Sequence, residues 1–193
     1  MKTIAQRVIK LIKCIGVNVV CSCEGLVSES ATLHLERVLQ QLHIQALQYE
    51  HPPLHTCDEA DKLQLERAGT RIKNLFLRDN YGRRHFLLLL RAHLKVDLKT
   101  LSSQQGVSRL GFASDARLEK YLNIKPGCVS ALALINDTEQ QVELWIDRGL
   151  WSAQLWQCHP LNNTKTWVLT KPQLQQFWQY THHTPHVIDI PCL

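Results

Sequence analysis

From residue 30 onward, Leu33, Leu35, Val38, Leu39, Leu42 and Ile44 recur at helical intervals. A stripe of that period predicts a helix over 30–43 with one side turned to a core. A strand follows over 46–51 and ends at His51-Pro52-Pro53, because the residue before proline leaves helical space and proline donates no backbone hydrogen bond. Thr56 with Glu59 three residues on matches a capping box, which starts a helix running to about Arg67 with Gly69 beyond its end. The period then shortens. Residues 72–78 and 85–91 read as strands separated by the turn composition Asp79-Asn80-Tyr81-Gly82. The run Phe86-Leu87-Leu88-Leu89-Leu90 is apolar on both faces, the mark of a central strand. Short helices are expected over 97–105 and over 115–122, the second capped by Ser114. Further strands are expected over 131–135, 142–146, 153–158 and 166–170. Lys171-Pro172 opens a last helix through about Tyr180.

Strands and helices mixed in this way, with hairpins commoner than helical crossovers, predict an α/β domain whose mixed, largely antiparallel sheet is flanked by helices. The 193 residues, 45% of them hydrophobic, suffice for one domain with a core. The expected division is a basic N-terminal extension over 1–27 and the domain over 28–193. Within the extension, Ile4, Val8, Leu11, Ile12 and Ile15 share a helical face opposite Gln6, Arg7, Lys10 and Lys13. Residues 3–16 can thus form a basic amphipathic helix, and a floppy or locally packed extension is favoured there over an additional RNA or membrane contact. No apolar run approaches the ~18 residues of a membrane span.

Charge and cysteine usage narrow the chemistry. Of the net charge of +5, the first 27 residues carry +3, so an anionic partner of the domain must meet a local basic patch. The seven cysteines are odd in number and lack the spacing of a disulfide framework, which fits a reducing compartment, the cytoplasm by default. No Cys-x-x-Cys pair accompanies Cys21-Ser22-Cys23, so buried free thiols are expected and no metal. Neither a dinucleotide fingerprint, nor a Walker loop, nor a Gly-x-Ser-x-Gly elbow occurs, so no nucleotide cofactor is expected.

Three segments carry candidate chemistry. In Thr70-Arg71-Ile72-Lys73-Asn74-Leu75-Phe76-Leu77-Arg78, a lysine and an asparagine interrupt an otherwise apolar or charged strand. A lysine among buried neighbours is costly unless it reaches solvent or an anion, and the ordinary explanation is a snorkelling strand lysine. In Gly127-Cys128-Val129-Ser130-Ala131 the glycine permits close backbone approach to a ligand, and successive N–H groups can hold an oxyanion. Pro126-Gly127 is also a turn signal in its own right. His159, between Cys158 and Pro160, offers an imidazole titrating near neutrality. Ser130 or Cys128 could be drawn as a nucleophile with His159 as base. Asn136-Asp137 and Asp147 read as turn and helix caps.

Taken together, Lys73-Asn74 before Leu75-Phe76-Leu77, the loop from Gly127 to Ala131 running on to Asn136-Asp137, and Cys158-His159-Pro160 followed by Asn162-Asn163-Thr164 resemble the prolyl-tRNA editing family. The similarity is to its ProX-like and YbaK-type aminoacyl-tRNA deacylases and spans about 31–188. It implies a single YbaK/ProX-like domain that hydrolyses the ester of mischarged aminoacyl-tRNA, most of all alanyl-tRNA(Pro), with cysteine or serine as other amino acids to be removed. It implies Lys73 at the 3′-terminal phosphate or ester, Asn74 ordering the ester, His159 in the pocket, and substrate contacts from Gly127, Cys128, Val129, Ser130 and Ala131. Water rather than a covalent acyl-enzyme is the implied route, with the terminal ribose hydroxyl assisting. Ala131 stands where the family's Gly-x-x-x-Pro motif has proline, a departure that points to a looser loop and to a non-catalytic tRNA-end binding protein as the rival reading. Partners implied are tRNA, with Arg71, Arg78, Arg83 and Arg84 as phosphate contacts, and prolyl-tRNA synthetase.

Overall fold

A computed structural model describes residues 23–53 and 67–193. The helices expected over 3–16 and from Thr56 onward lie outside those residues. Helix α1 (Cys23–Gln41) begins earlier than the apolar stripe suggested and runs across the expected boundary at 27–28. It leads into strand β1 (Leu47–Glu50), and after residue 67 come β2 (Thr70–Arg78) and β3 (His85–Arg91). The chain continues through α2 (Leu98–Gln104), β4 (Gly111–Phe112), α3 (Asp115–Leu122), a 3-10 turn (Ala133–Asn136) and β5 (Val142–Asp147). It ends with α4 (Arg148–Trp151), β6 (Leu155–Cys158), β7 (Lys165–Thr170), α5 (Lys171–Tyr180) and β8 (His186–Ile188).

The strands form one sheet in the order β1-β7-β6-β2-β3-β5-β8, with β4 also paired to β2. The β1/β7, β7/β6, β2/β3 and β2/β4 pairs are antiparallel; β6/β2, β3/β5 and β5/β8 are parallel. This is the expected mixed α/β architecture. Phe86 to Leu90 are fully buried between β2 and β5. Their alternation divides them between two cores, as a two-faced central strand requires. Leu87 and Leu89 join a large core with Leu35, Val38 and Leu39 of α1 and with Trp156, Trp167 and Trp178. Phe86, Leu88 and Leu90 join a smaller one with Leu77, Leu101, Leu110 and Trp145. Each such fully buried leucine contributes about 1.5–3 kcal/mol of transfer free energy.

The β2–β3 hairpin is held by the Asp79 carboxylate, which accepts from the Arg83 and Arg84 backbone N–H groups at 2.8 and 3.1 Å. Burial opposes ionisation there, but these bonds and the Ser108 hydroxyl keep its pKa below the usual carboxylate value. The strand expected over 131–135 is instead the 3-10 turn. That run is apolar throughout, so its period decides nothing. Local bonds settle it: Ser130 Oγ accepts from Leu132 N–H at 3.2 Å and Ser130 O from Ala133 N–H at 3.0 Å. The expected caps are present: Asp137 accepts from Gln141 and Val142 N–H, and Asp147 from Leu150 N–H. Ser114 occupies the N-cap position of α3 without a side-chain capping bond.

Candidate active site

The sheet opens along one edge of β2. On that side β6 bonds β2 only at Thr70 and Arg71, and β4 only at Leu77 and Arg78. Between them Ile72 to Phe76, paired to β3 on their other side, have no ladder partner on this edge among the described residues, apart from the Ala113 N–H that reaches Phe76 O at 3.0 Å. An unpaired strand edge inside a sheet presents backbone donors and acceptors to whatever enters.

Lys73 and Asn74 lie at this opening and, being adjacent on a strand, point to opposite faces. Lys73 shares the face of Leu75 and Leu77; its Nζ donates to Leu94 O at 2.8 Å and the side chain is half-buried. Asn74 shares the face of Ile72 and Phe76, which belongs to the larger core. Its Oδ1 is buried and has no hydrogen-bond partner among the described residues. A buried acceptor left unsatisfied costs about 1–3 kcal/mol, so it calls for an explanation.

His159 follows β6 directly, and the β6/β2 register, with Gln157 opposite Arg71, carries it toward Lys73. The residue is half-buried overall, yet its Nδ1 is enclosed and without a partner among the described residues. Burial lowers its pKa to about 4, against a hydrogen bond with the Val129 backbone and with the help of nearby His51. The imidazole is therefore neutral at physiological pH.

The glycine loop closes against His159. Lys125 to Cys128 form a turn with Cys128 N–H donating to Lys125 O at 3.1 Å and Gly127 at φ +82°, the left-handed value that a type II turn demands at its third position. Ser130 Oγ donates to His159 O at 2.6 Å, and Trp178 Nε1 donates to Ala131 O at 3.3 Å. Hydrogen bonds at Ser130 and at Ala131 thus hold the loop, and Ala131, the departure expected to leave it looser or differently turned, is fully buried. The Ser130 hydroxyl meets the His159 carbonyl rather than its imidazole, and burial raises the Cys128 thiol's pKa. Neither is arranged as an activated nucleophile.

The four arginines are not equivalent. Arg71 lies opposite Gln157 beside the opening. Arg78 donates to Asp79 O and Asn80 O at 2.9 and 3.0 Å at the hairpin, and Arg83 sits 5.8 Å over the Tyr81 ring. Arg84 is held bidentate by Glu143 at 2.7 and 2.9 Å, so its charge is already matched. Sequence reasoning missed a neighbouring polar cluster, in which Thr166 Oγ1 receives Arg67 Nη1 at 2.7 Å and bonds His51 Nε2 at 2.9 Å. Arg67 Nε is buried without a partner among the described residues. The signal available was His51 ahead of two prolines, read only as a strand end. Among the described residues no group of three or more His, Cys, Asp or Glu side chains could hold a metal, and no helix is long and apolar enough to cross a membrane.

The split in the mixed sheet, with unsatisfied polar atoms beside it, has the glycine loop and His159 at one end and β4 at the other. The aminoacyl-tRNA editing domain model matches residues 51–177, and the chain belongs to that family. Its expected class, an aminoacyl-tRNA deacylase, is that of the family. The chain is 36% identical over 152 residues to the prolyl-tRNA editing protein ProX of Acetoanaerobium sticklandii, covering 79% of this chain and 93% of that one. It is 35% identical over 157 residues to the prolyl-tRNA synthetase associated domain-containing protein 1 of Danio rerio, covering 80% and 85%. A solved structure described as a candidate trans-editing enzyme for prolyl-tRNA synthetase superposes with a TM-score of 0.61 at 16% identity, over 83% of this chain and 96% of that one, and supports the fold.

Proposed function

We propose that this protein is a trans-editing deacylase of the cytoplasm that hydrolyses the ester of alanyl-tRNA(Pro) and works beside prolyl-tRNA synthetase. The observation that carries the reading is the pair of buried, unpartnered atoms, Asn74 Oδ1 and His159 Nδ1, at an unpaired strand edge. Substrate supplies what they lack. Asn74 accepts from the amino group or terminal ribose hydroxyl of the acylated nucleotide and so orders the ester. Lys73, with one Nζ–H on Leu94 O, has donors left for the terminal phosphate or the ester oxygen. Backbone groups of Gly127, Cys128, Val129, Ser130 and Ala131 line the amino-acid side.

The lowered pKa of the histidine supports a positioning role. A base with a pKa of about 4 gains little by taking a proton from water at pH 7, so His159 orients the attacking water by hydrogen bonding rather than abstracting its proton. Water adds to the ester carbonyl, and the 3′ oxygen leaves as a ribose hydroxyl, with the neighbouring 2′ hydroxyl as the proton carrier. Catalysis is then orientation and electrostatics. The need for such an enzyme is physical: a proline-sized pocket discriminates against a smaller amino acid by only about 1–3 kcal/mol per missing methylene, so a second, smaller site must clear the error.

Single-turnover deacylation of alanyl-tRNA(Pro), beside prolyl-, cysteinyl- and seryl-tRNA(Pro), tests the reading. Rapid loss of alanine alone upholds it. Preference for cysteine or serine keeps the reaction and replaces the substrate, and no hydrolysis of any of them leaves a tRNA-end binding protein.

A further inference from the structure

The rim of the opening opposite His159 carries an aromatic side chain that packing does not explain. Phe112, in the two-residue strand β4, pairs with Leu77 of β2 yet is 63% exposed. Its neighbour Ala113 turns to the larger core, so alternation places Phe112 on the face of Lys73, Leu75 and Leu77. Single exposed apolar residues are ordinary. This one has company: Tyr81, 71% exposed, stands on the adjoining hairpin with the Arg83 guanidinium over its ring. The segment bearing Phe112 is tied to that hairpin, since Ser108 Oγ accepts from Asn80 N–H at 3.1 Å and donates to Asp79 at 3.2 Å.

Charge at this rim is positive. Arg78 is the partner of Gly111, Arg83 is exposed, and Arg109 is exposed three residues before Phe112. Of the nearby acids, Asp79 is consumed by the hairpin's own N–H groups and Glu143 by Arg84. Asp115 lies in the first turn of α3. Exposed aromatics interleaved with arginines suit a single-stranded nucleic acid, whose bases stack while phosphates meet the cations. Four residues of β2 separate the levels of Lys73 and Leu77, about 13 Å at strand rise, the reach of the terminal nucleotides of a strand whose ester lies at Lys73 and Asn74.

Resting on the proposed function, we infer that Phe112 is the stacking platform for a base of the single-stranded acceptor end of the aminoacyl-tRNA, with Arg78, Arg83 and Arg109 along the adjoining phosphates. Phe112→Ala, Phe112→Leu and Phe112→Trp are compared by single-turnover deacylation of alanyl-tRNA(Pro) over a range of enzyme concentration. Phe112→Ala and Phe112→Leu should both raise the half-saturating concentration roughly tenfold while leaving the saturating rate near wild type, and Phe112→Trp should restore binding. The trinucleotide CCA should quench the new exposed tryptophan beyond any change in the wild-type protein. An unchanged half-saturation in Phe112→Ala, or a leucine variant as good as tryptophan, overturns the inference while wild-type hydrolysis keeps the function standing. If the wild-type protein hydrolyses nothing, the function fails and the CCA titration alone decides: quenching upholds the platform and its absence overturns it. Dissociation of a dimer by Phe112→Ala in sedimentation would make the rim an interface between copies and overturn it as well.

Discussion

Replacing Asn74 by leucine should make the protein more stable and much less active. Asn74 Oδ1 is buried without a partner among the described residues, on the core face shared by Ile72 and Phe76. An unsatisfied buried acceptor costs about 1–3 kcal/mol. Because the residue as a whole is half-buried, the lower end applies, and leucine also adds apolar contact on that face. A gain of about 1 kcal/mol is therefore expected, which at an m-value of about 2 kcal/mol/M raises the urea midpoint by about 0.5 M. The same gain raises Tm by about 2–4 °C for a domain of this size. Deacylation should meanwhile fall about a hundredfold, the cost of losing one oriented hydrogen bond at a reacting group. Urea titration and single-turnover deacylation of the same preparation read both arms. A midpoint that falls by a similar amount while deacylation persists would show that Asn74 is a satisfied structural residue, and the argument from unpartnered atoms would collapse.

Lys73→Ala should slow deacylation about a hundredfold with far-ultraviolet circular dichroism unchanged, since its one described bond is a part-buried one to the Leu94 carbonyl; wild-type rates from a folded variant would remove Lys73 from the mechanism. Arg83→Ala should weaken tRNA binding and reduce the slope of log K against log salt by about one. Arg84→Ala should leave that slope intact and cost at most about 1 kcal/mol of stability, because its charge is spent on Glu143 at a partly exposed pair; equal slopes for both variants and the wild type would exclude the hairpin from the interface. Stability should also fall in mild acid. His85 is buried, and desolvation together with the Arg117 charge lowers its pKa from 6.5 to about 4. Between those values the unfolded chain binds the proton that the folded chain refuses, so this contribution is complete above pH 6.5 and is lost as pH falls from 6.5 to 4, by about 3 kcal/mol in all. His159 acts in the same direction. His85→Gln should flatten the pH dependence of the urea midpoint between pH 7 and 4.5, and a flat wild-type profile would contradict a neutral buried histidine.

How much of this was legible in the sequence depended on length and period. The central strand announced itself because five consecutive apolar residues have no polar face to expose, and Lys171-Pro172 marked the start of α5 through proline's fixed φ. Three short elements, β4, β8 and α4, left no periodic trace, since their existence rests on partners elsewhere: Gly111 and Phe112 are strand only because Arg78 and Leu77 bond them. The apolar run after Ser130 misled for the opposite reason, its composition being compatible with any buried conformation until the Ser130 side chain fixed the turn. At the site, Lys73, Asn74, His159 and the glycine loop, each open to an ordinary strand or turn reading, were visible as candidates through the motif resemblance. Their grouping was not, because it depends on the parallel β6/β2 register, a pairing between segments 86 residues apart at Thr70 and Trp156. The split of the four arginines between matched and available charge depends likewise on Glu143, 59 residues beyond Arg84.

The adjacency of Lys73 and Asn74 constrains where an ester can lie. Consecutive strand residues project to opposite faces, so a ligand resting on either face of this sheet meets one of them and is screened from the other by the backbone. One ligand reaches both only at an edge, and β2 lies inside the sheet, with β3 along its full length on one side. The interruption between β6 and β4 creates that edge within the sheet, where the two cores back β2 on its two faces. A continuous ladder would have satisfied every backbone group of Ile72 to Phe76 and sealed the two side chains apart. Leaving it open sacrifices several sheet hydrogen bonds, each worth about 1 kcal/mol net. Asn74 Oδ1, on the strand left open, is buried without a partner among the described residues. Stability is forgone along one edge of one strand, beside Asn74, where a small polar group would restore part of it.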